Sequence, residues 1–301
     1  MNTHAAPARA LLLLALSAIV AGRSEAASMS TYISLGDSIA YGPGTTQDTA
    51  PGSSQGFVSQ FASTLGQSGV GAPNVFNLAL PNETLASFSS GNPDTAANTL
   101  YSSGLTSQNM AFMHYMATQL AAGNQINTVT ISLGTSDVMN ILNTPGFGSM
   151  SLVQQATAVQ SGLAQIQSEY SSLLAQIRNV LPNATVDLIG AYNPFHATPN
   201  SPLAPIAEPA FLGLNNILQQ EASTYKATYV NTYTSFLGHE GTYTNILGGT
   251  GNINPTGPGY SAIAAQLNST VVPEPSTLLI AGLGLAGLVA RSWRRRSGLA
   301  A

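Results

Sequence analysis

Residues 31–38 read Thr-Tyr-Ile-Ser-Leu-Gly-Asp-Ser, a short run of β-forming and apolar residues that leads directly into glycine, aspartate and serine. The apolar part predicts a strand, because β-branched and aromatic residues are enriched in strands. A serine just past a strand end, beside a glycine, is well placed to be an exposed nucleophile. Ser38 is therefore the first candidate functional residue.

The same kind of run recurs along the chain and alternates with helical patterns. Further strands are predicted at 75–78, 128–133, 185–189 and 228–231. Apolar periodicity predicts helices near 57–65, 108–122, 152–181, 209–225 and 259–267, the second of them buried on most sides. This alternation predicts an α/β fold: a doubly wound, flavodoxin-like, five-stranded parallel sheet with helices on both faces. Ligands of such folds bind beyond the carboxyl ends of the strands.

The charge distribution excludes several classes of protein. Only 7% of the 301 residues are charged, against about 25% in an average soluble protein. Between residues 28 and 272 there are two basic residues, Arg178 and Lys226, and ten acidic ones, a net charge of −8. We expect no nucleic acid partner, because phosphates would find no neutralising surface. The chain has no cysteine, which excludes a disulfide framework and a thiol nucleophile, and nothing in the sequence predicts a metal site or a cofactor.

The N-terminal residues 1–27 have the pattern of a signal peptide. Arg9 precedes an apolar run at 10–21, and small residues follow at positions suited to cleavage by signal peptidase after Ala26 or Ala27. The alternative is an N-terminal membrane anchor. The run of 12 residues is short for that role, since a span needs about 20.

The C-terminal residues 271–301 have a different pattern. Pro273-Glu274-Pro275 precedes an apolar run at 278–290, and Trp293 and three consecutive arginines at 294–296 follow. This order resembles a PEP-CTERM sorting signal. The resemblance implies transient membrane contact, recognition by an exosortase, removal of the tail, and delivery to the cell surface or extracellular matrix of a Gram-negative bacterium. The alternative is a permanent tail anchor, with the arginines kept inside. Residues 28–270 form the predicted domain in between.

Five short motifs lie at the ends of the predicted strands or before the last helix. They are ISLGDSIAYG at 33–42, NLALPNET at 77–84, ISLGTSD at 131–137, AYNPF at 191–195 and NPTGPGY at 254–260. In this order they resemble the SGNH/GDSL hydrolase family, the GDSL-like lipases and acylhydrolases. The resemblance covers residues 31–267. It implies the SGNH hydrolase type of fold and hydrolysis of acyl or acetyl esters of lipid or polysaccharide, with Ser38 as nucleophile.

The resemblance also identifies where this chain departs from the family. Besides the backbone N–H of Ser38, the oxyanion positions hold Asn82, where the family has glycine, and Ser136, where it has asparagine. The positions of the catalytic histidine and aspartate hold Asn254 and Gly251. An amide does not accept a proton at neutral pH, and glycine cannot orient a base. Taken literally, the resemblance implies the family fold with a disabled active site.

Two histidines on the predicted rim are candidates for a substitute base. His239, followed by Glu240, is the first choice, and His196, after the fourth strand, is the second. Either ring would have to come within hydrogen-bond reach of Ser38. Two functions therefore stay open. One is an exported serine ester hydrolase, and the other is a catalytically inactive surface or matrix protein that binds a glycan or acylated ligand in the same cleft.

Overall fold

The computed structural model describes residues 29–43, 56–67, 72–92, 100–101, 104–249 and 251–271. The predicted signal peptide at 1–27 and nearly all of the predicted sorting segment at 271–301 lie outside these residues. Within the described ranges, no helix is both long enough and apolar enough to cross a membrane.

Five parallel strands form one sheet in the order β2-β1-β3-β4-β5. They are β1 (Ser30–Gly36), β2 (Asn74–Asn77), β3 (Gln125–Ser132), β4 (Thr185–Ile189) and β5 (Thr228–Val230). Because β1 lies between β2 and β3, the chain winds outward in one direction to β2 and in the other to β5. The predicted doubly wound α/β fold is confirmed. Its topological switch point lies between β1 and β3, where such folds bind ligands.

Ten α-helices occur in the described residues, together with short 3₁₀ turns. They are α1 (Ser38–Tyr41), α2 (Phe57–Leu65), α3 (Leu85–Ser90), α4 (Gln108–Ala121), α5 (Thr135–Leu142), α6 (Leu152–Val180), α7 (Ala204–Thr224), α8 (Thr232–Phe236), α9 (Glu240–Tyr243) and α10 (Gly257–Val271). The five predicted helices correspond to α2, α4, α6, α7 and α10. Helix α7 begins five residues before the predicted start at Pro209, because Pro205 occupies its first turn and Pro209 is tolerated inside.

Hydrophobic side chains pack on both faces of the sheet, as expected for parallel strands. One face buries Ile33 and Ile131 against residues of α4, α6 and α7. The other buries Tyr32 against α2 and α10. The prediction that α4 is buried on most sides was wrong. Only one side of α4 faces the core, and Met110 and Leu120 on the other are 45% and 47% exposed.

A close backbone contact at Gly36 positions the first motif. A Cβ atom at residue 36 would lie 2.5 Å from Ala40 Cβ and 2.9 Å from the carbonyl oxygen of Ser132, so only glycine fits. The buried side chain of Gln108 accepts from Gly36 N–H at 2.8 Å and donates to Gly36 O at 2.9 Å. The strand therefore turns tightly into α1, which Ser38 begins.

Arg178 joins three parts of the chain at the opposite end of the sheet. Its guanidinium donates to the carbonyl oxygens of Tyr225, Lys226 and Ala184, each at 2.7 Å. These contacts connect the end of α6, the start of β4 and the turn between α7 and β5. Sequence reasoning counted this arginine only as a charge.

We expect Arg178→Met to lower the free energy of unfolding by about 2–4 kcal/mol, because partly buried carbonyls lose a charged donor. Urea denaturation measures the change. Lys226→Met removes the same charge from an exposed side chain and should change stability by less than about 0.5 kcal/mol. Equal effects of the two substitutions would mean that water replaces the guanidinium without cost.

Candidate active site

The structure brings five of the predicted site residues into one cleft at the carboxyl ends of the strands. Ser38 begins α1 after β1, Asn82 follows β2, and Ser136 lies in the first turn of α5 after β3. Gly251 and Asn254 come from the segment before α10. All five line a cleft with a volume of about 260 Å³.

Asn82 forms a tight turn after β2. Its φ of 57° is in the left-handed region, which asparagine adopts more readily than most side-chain-bearing residues. In this conformation Asn82 N–H donates to Ser38 Oγ at 2.9 Å. A backbone donor directed at the nucleophilic oxygen is well placed to stabilise a negative charge that develops beside it.

The hydroxyl of Ser136 bonds to Asp37 and not to Ser38. Its hydroxyl donates to Asp37 Oδ2 at 3.2 Å, and Asp37 also accepts from Ile39 N–H at 2.9 Å. Burial raises the pKa of Asp37 to about 6, although both hydrogen bonds lower it. A hydroxyl has one hydrogen to donate. While that hydrogen lies on Asp37, Ser136 offers no donor to an oxyanion.

No base in the described part of the cleft is bonded to the Ser38 hydroxyl. Among the described residues, the hydroxyl of Ser38 receives the bond from Asn82, and no side chain accepts its hydrogen. No histidine is found among the described residues that line the cleft. Asn254 lines the cleft instead, and a Cβ atom at Gly251 would meet open space.

Neither candidate substitute base lines this cleft. The exposed ring of His239 stacks on Tyr243, with the ring centroids 5.0 Å apart. The ring of His196 lies between two carboxylates, with Nδ1 2.8 Å from Glu240 Oε1 and Nε2 2.6 Å from Glu208 Oε2. Both nitrogens of His196 are therefore occupied, and neither is available to take a proton from a hydroxyl.

The His196 cluster consists of His196, Glu208 and Glu240. Partial burial lowers the pKa of His196, but hydrogen bonds to both glutamates and their charges outweigh it, so the pKa is raised. Glu208 also accepts from Asn193 Nδ2 and Tyr233 OH. No sequence pattern indicated this cluster, since its residues are 12 to 44 positions apart.

The cluster anchors the segment that forms one wall of the cleft. Glu240 is buried at the start of α9, and its carbonyl accepts from Thr244 N–H at 3.0 Å. The next residue, Asn245, donates its N–H to the carbonyl of Asn254, also at 3.0 Å. His196 thus helps to position the cleft wall from outside the cleft.

A model of GDSL-like lipases and acylhydrolases matches residues 34–262. The chain belongs to the GDSL-like lipase/acylhydrolase family. A second model, the PEP-CTERM protein-sorting motif, matches residues 271–296. This motif indicates export and membrane-associated processing in Gram-negative bacteria. No curated protein sequence matches the chain.

Solved structures of lipases and esterases resemble this GDSL-family domain. The lipase Lip_vut3 from a goat rumen metagenome is 19% identical, with a TM-score of 0.56 over 80% of this chain and 97% of that one. An extracellular lipase from Streptomyces rimosus is 18% identical, with a TM-score of 0.54 over 80% and 99%. The acetylxylan esterase Axe2 from Geobacillus stearothermophilus is 15% identical, with a TM-score of 0.50 over 79% and 92%. At these identities the likeness establishes the fold alone.

We expect His196→Gln to remove a pH-dependent part of the protein's stability. Because its pKa is raised, charged His196 stabilises the folded protein fully below the ordinary value of 6.5, and this contribution is lost as pH rises through the folded-state pKa. The difference in melting temperature between wild type and variant should therefore be largest at about pH 5–6 and shrink as pH rises through the folded-state pKa of His196. It should also shrink below about pH 4.5, because the pKa of Glu208 is lowered in part by His196 and this contribution is lost as Glu208 becomes protonated.

His239→Gln is the matched control, at an exposed histidine, and should follow the wild type at every pH. The pKa of Asp37, about 6, and that of Asp137, about 7, affect wild type and variants alike, so they cancel in the difference. A difference that is constant over this range would contradict a charged His196.

Proposed function

We propose that this GDSL-family domain binds an acylated ligand or a glycan in the cleft at Ser38 and does not hydrolyse esters at the rate of a complete catalytic triad. One observation carries the proposal. The nucleophile and the Asn82 oxyanion donor are in place, but no described side chain accepts the Ser38 proton. Asn254 and Gly251 at the family's histidine and aspartate positions agree with this.

The expected loss of catalytic rate distinguishes ester hydrolysis from ligand binding. Removing the histidine of a serine protease triad lowers kcat by about 10⁶, and removing one oxyanion donor lowers it by about 10²–10³. We infer the loss of the histidine at Asn254. We infer the loss of an oxyanion donor at Ser136, as long as its hydroxyl donates to Asp37. Ligand binding needs neither group, because shape and hydrogen-bond donors persist without a base.

We also propose the route by which the domain reaches its ligand. Signal peptidase removes residues 1–27, and an exosortase then acts on the segment that the PEP-CTERM motif matches. Residues 28–270 are held at the membrane until the tail is removed and then belong to the cell surface or extracellular matrix. The motif match supports the second step, and the apolar run at 10–21 supports the first.

A second candidate function is ester hydrolysis with a substitute base. It is favoured by the retained Ser38 and by the 2.9 Å contact from Asn82 N–H, which an ester carbonyl could also receive. His239 or His196 would then have to leave its present contacts to reach Ser38. This hydrolase is the alternative outcome of the experiments below.

We expect wild-type protein and Ser38→Ala to hydrolyse p-nitrophenyl acetate at the same rate, because no base activates the serine. The two proteins are purified in parallel and assayed at equal concentration, and neither should be labelled by a fluorophosphonate. Turnover and labelling that disappear in Ser38→Ala would contradict the proposal. His239→Ala and His196→Ala would then locate the base.

We expect Gly251→Asp/Asn254→His to raise kcat/KM by at least about 100-fold over wild type, the lower range of general-base catalysis. Nothing lies within 4 Å of a Cβ atom at residue 251, and at its φ of 68° aspartate costs less than most other side-chain-bearing residues. Adding Ser38→Ala should abolish the gain, and adding Ser136→Asn should increase it by restoring an oxyanion donor. A double variant as inert as wild type would mean that more than the base is missing.

A further inference from the structure

The cleft has two compartments that meet at Ser38. The amide compartment is the 260 Å³ cleft described above, and its wall includes five asparagines: Asn82, Asn140, Asn143, Asn252 and Asn254. The proline compartment has a volume of about 300 Å³ and includes Tyr41, Pro43, Pro81 and Pro255 in its wall. Ser38, Asn252 and Asn254 line both. A ligand at Ser38 therefore contacts amides on one side and ring carbons on the other.

Most of these amides are unused by the fold. The side-chain amides of Asn82, Asn140, Asn143 and Asn254 have no hydrogen-bond partner among the described residues. Asn252 differs, since its Oδ1 accepts from Asn254 N–H at 2.9 Å. Each unused amide offers two donors and one acceptor to a ligand.

Buried asparagines elsewhere in the domain are used differently. Asn215 exchanges two hydrogen bonds with the backbone of Ala191, both at 2.8 Å. Asn77 donates to Ala40 O at 2.7 Å and accepts from Ala79 N–H at 3.1 Å. Those side chains hold the backbone in place. The cleft asparagines are the ones whose hydrogen-bonding groups stay available.

The compartment walls carry almost no charge. Among the described residues that line them, there is no lysine, arginine, histidine or glutamate, and the one acid, Asp37, is 1% exposed. Of the two basic residues in the described ranges, Arg178 is bound to backbone carbonyls at the other end of the sheet, and Lys226 lies in the turn between α7 and β5 that Arg178 contacts there. A phosphate or carboxylate in the cleft would lose its hydration without gaining a counter-charge.

We propose that the ligand of this cleft is a neutral oligosaccharide. Its hydroxyl groups, each a donor and an acceptor, pair with the unused amides, and the C–H faces of its rings pack against the proline compartment. Ser38 and Asn82 N–H lie where the two compartments meet and bind a ring or hydroxyl oxygen there. This assignment rests on the proposed use of the cleft for binding.

Calorimetric titration of the purified protein tests the assignment. The probes are β-1,4-linked xylohexaose and glucohexaose as neutral saccharides, hexagalacturonate as an anionic one, and dihexanoylphosphatidylglycerol below its critical micelle concentration. At least one neutral hexasaccharide should bind more tightly than either anionic probe. Asn140→Ala/Asn143→Ala should weaken that binding at least about fivefold, the effect of one or two net hydrogen bonds.

Two further variants test whether the loss of saccharide binding is specific to the asparagines of the cleft. Asn183→Ala, at an exposed asparagine outside the cleft, should bind like wild type. Asn254→Ala, in the segment before α10 that also lines the cleft, should weaken binding as the double variant does. Melting temperatures of all variants should match the wild type, because these amides hold no part of the fold.

The outcomes distinguish this inference from the proposed function. The hexasaccharides carry no ester, so their binding does not depend on a catalytic base. The inference is overturned if no neutral saccharide binds, if an anionic probe binds more tightly, or if the amide variants bind like wild type. Ser38-dependent turnover of an aryl ester would instead contradict the proposed function and leave the saccharide result unaffected.

Discussion

The close contact at Gly36 holds the loops of the cleft in register. The residue ends β1, which lies between β2 and β3. Leu80 N–H, after β2, donates to Gly36 O, and Asp37 N–H donates to Ser132 O at the end of β3. The loops after β1, β2 and β3 therefore share one hydrogen-bonded centre. Ser38, Asn82 and Ser136 each lie within four residues of it along their own loops. A side chain at residue 36 would separate β1 from β3 and move all three.

The fold could be predicted because its signals are local. Each strand is a short β-forming run, and the 4-3 spacing of apolar residues identified α6 almost to its ends. The error at α4 has the same origin. Periodicity indicates that the 110–116 run is apolar all round, but only the packing of the sheet decides which side is covered, and Met110 is on the other side.

Of the site, only the residues that lie in the sequence motifs could be predicted. Ser38, Asn82, Ser136, Gly251 and Asn254 were found from sequence, and the structure places them in one cleft. The partner of Ser136 was not predicted, because the bond to Asp37 joins residues 99 positions apart. The His196 cluster was missed for the same reason. The sequence does not indicate which glutamates contact which histidine. His196 was therefore considered as a base and not as the centre of an ion cluster.

The absence, among the described residues, of a side chain that accepts the Ser38 hydroxyl hydrogen affects what the other groups of the cleft can do. In a complete triad, the serine hydroxyl gives its proton to histidine, and the oxyanion donors act on the charge that follows. Here the Ser38 proton has no such acceptor, so the hydroxyl stays a neutral donor beside Asn82 N–H. Two donors in an amide-lined cleft, whose one described acid, Asp37, is buried, are suited to an oxygen that carries no charge. The retained serine is therefore consistent with binding as well as with catalysis, and its presence alone does not distinguish the two. The distinction depends on whether a base reaches Ser38, and none of the described residues that line the cleft is a histidine.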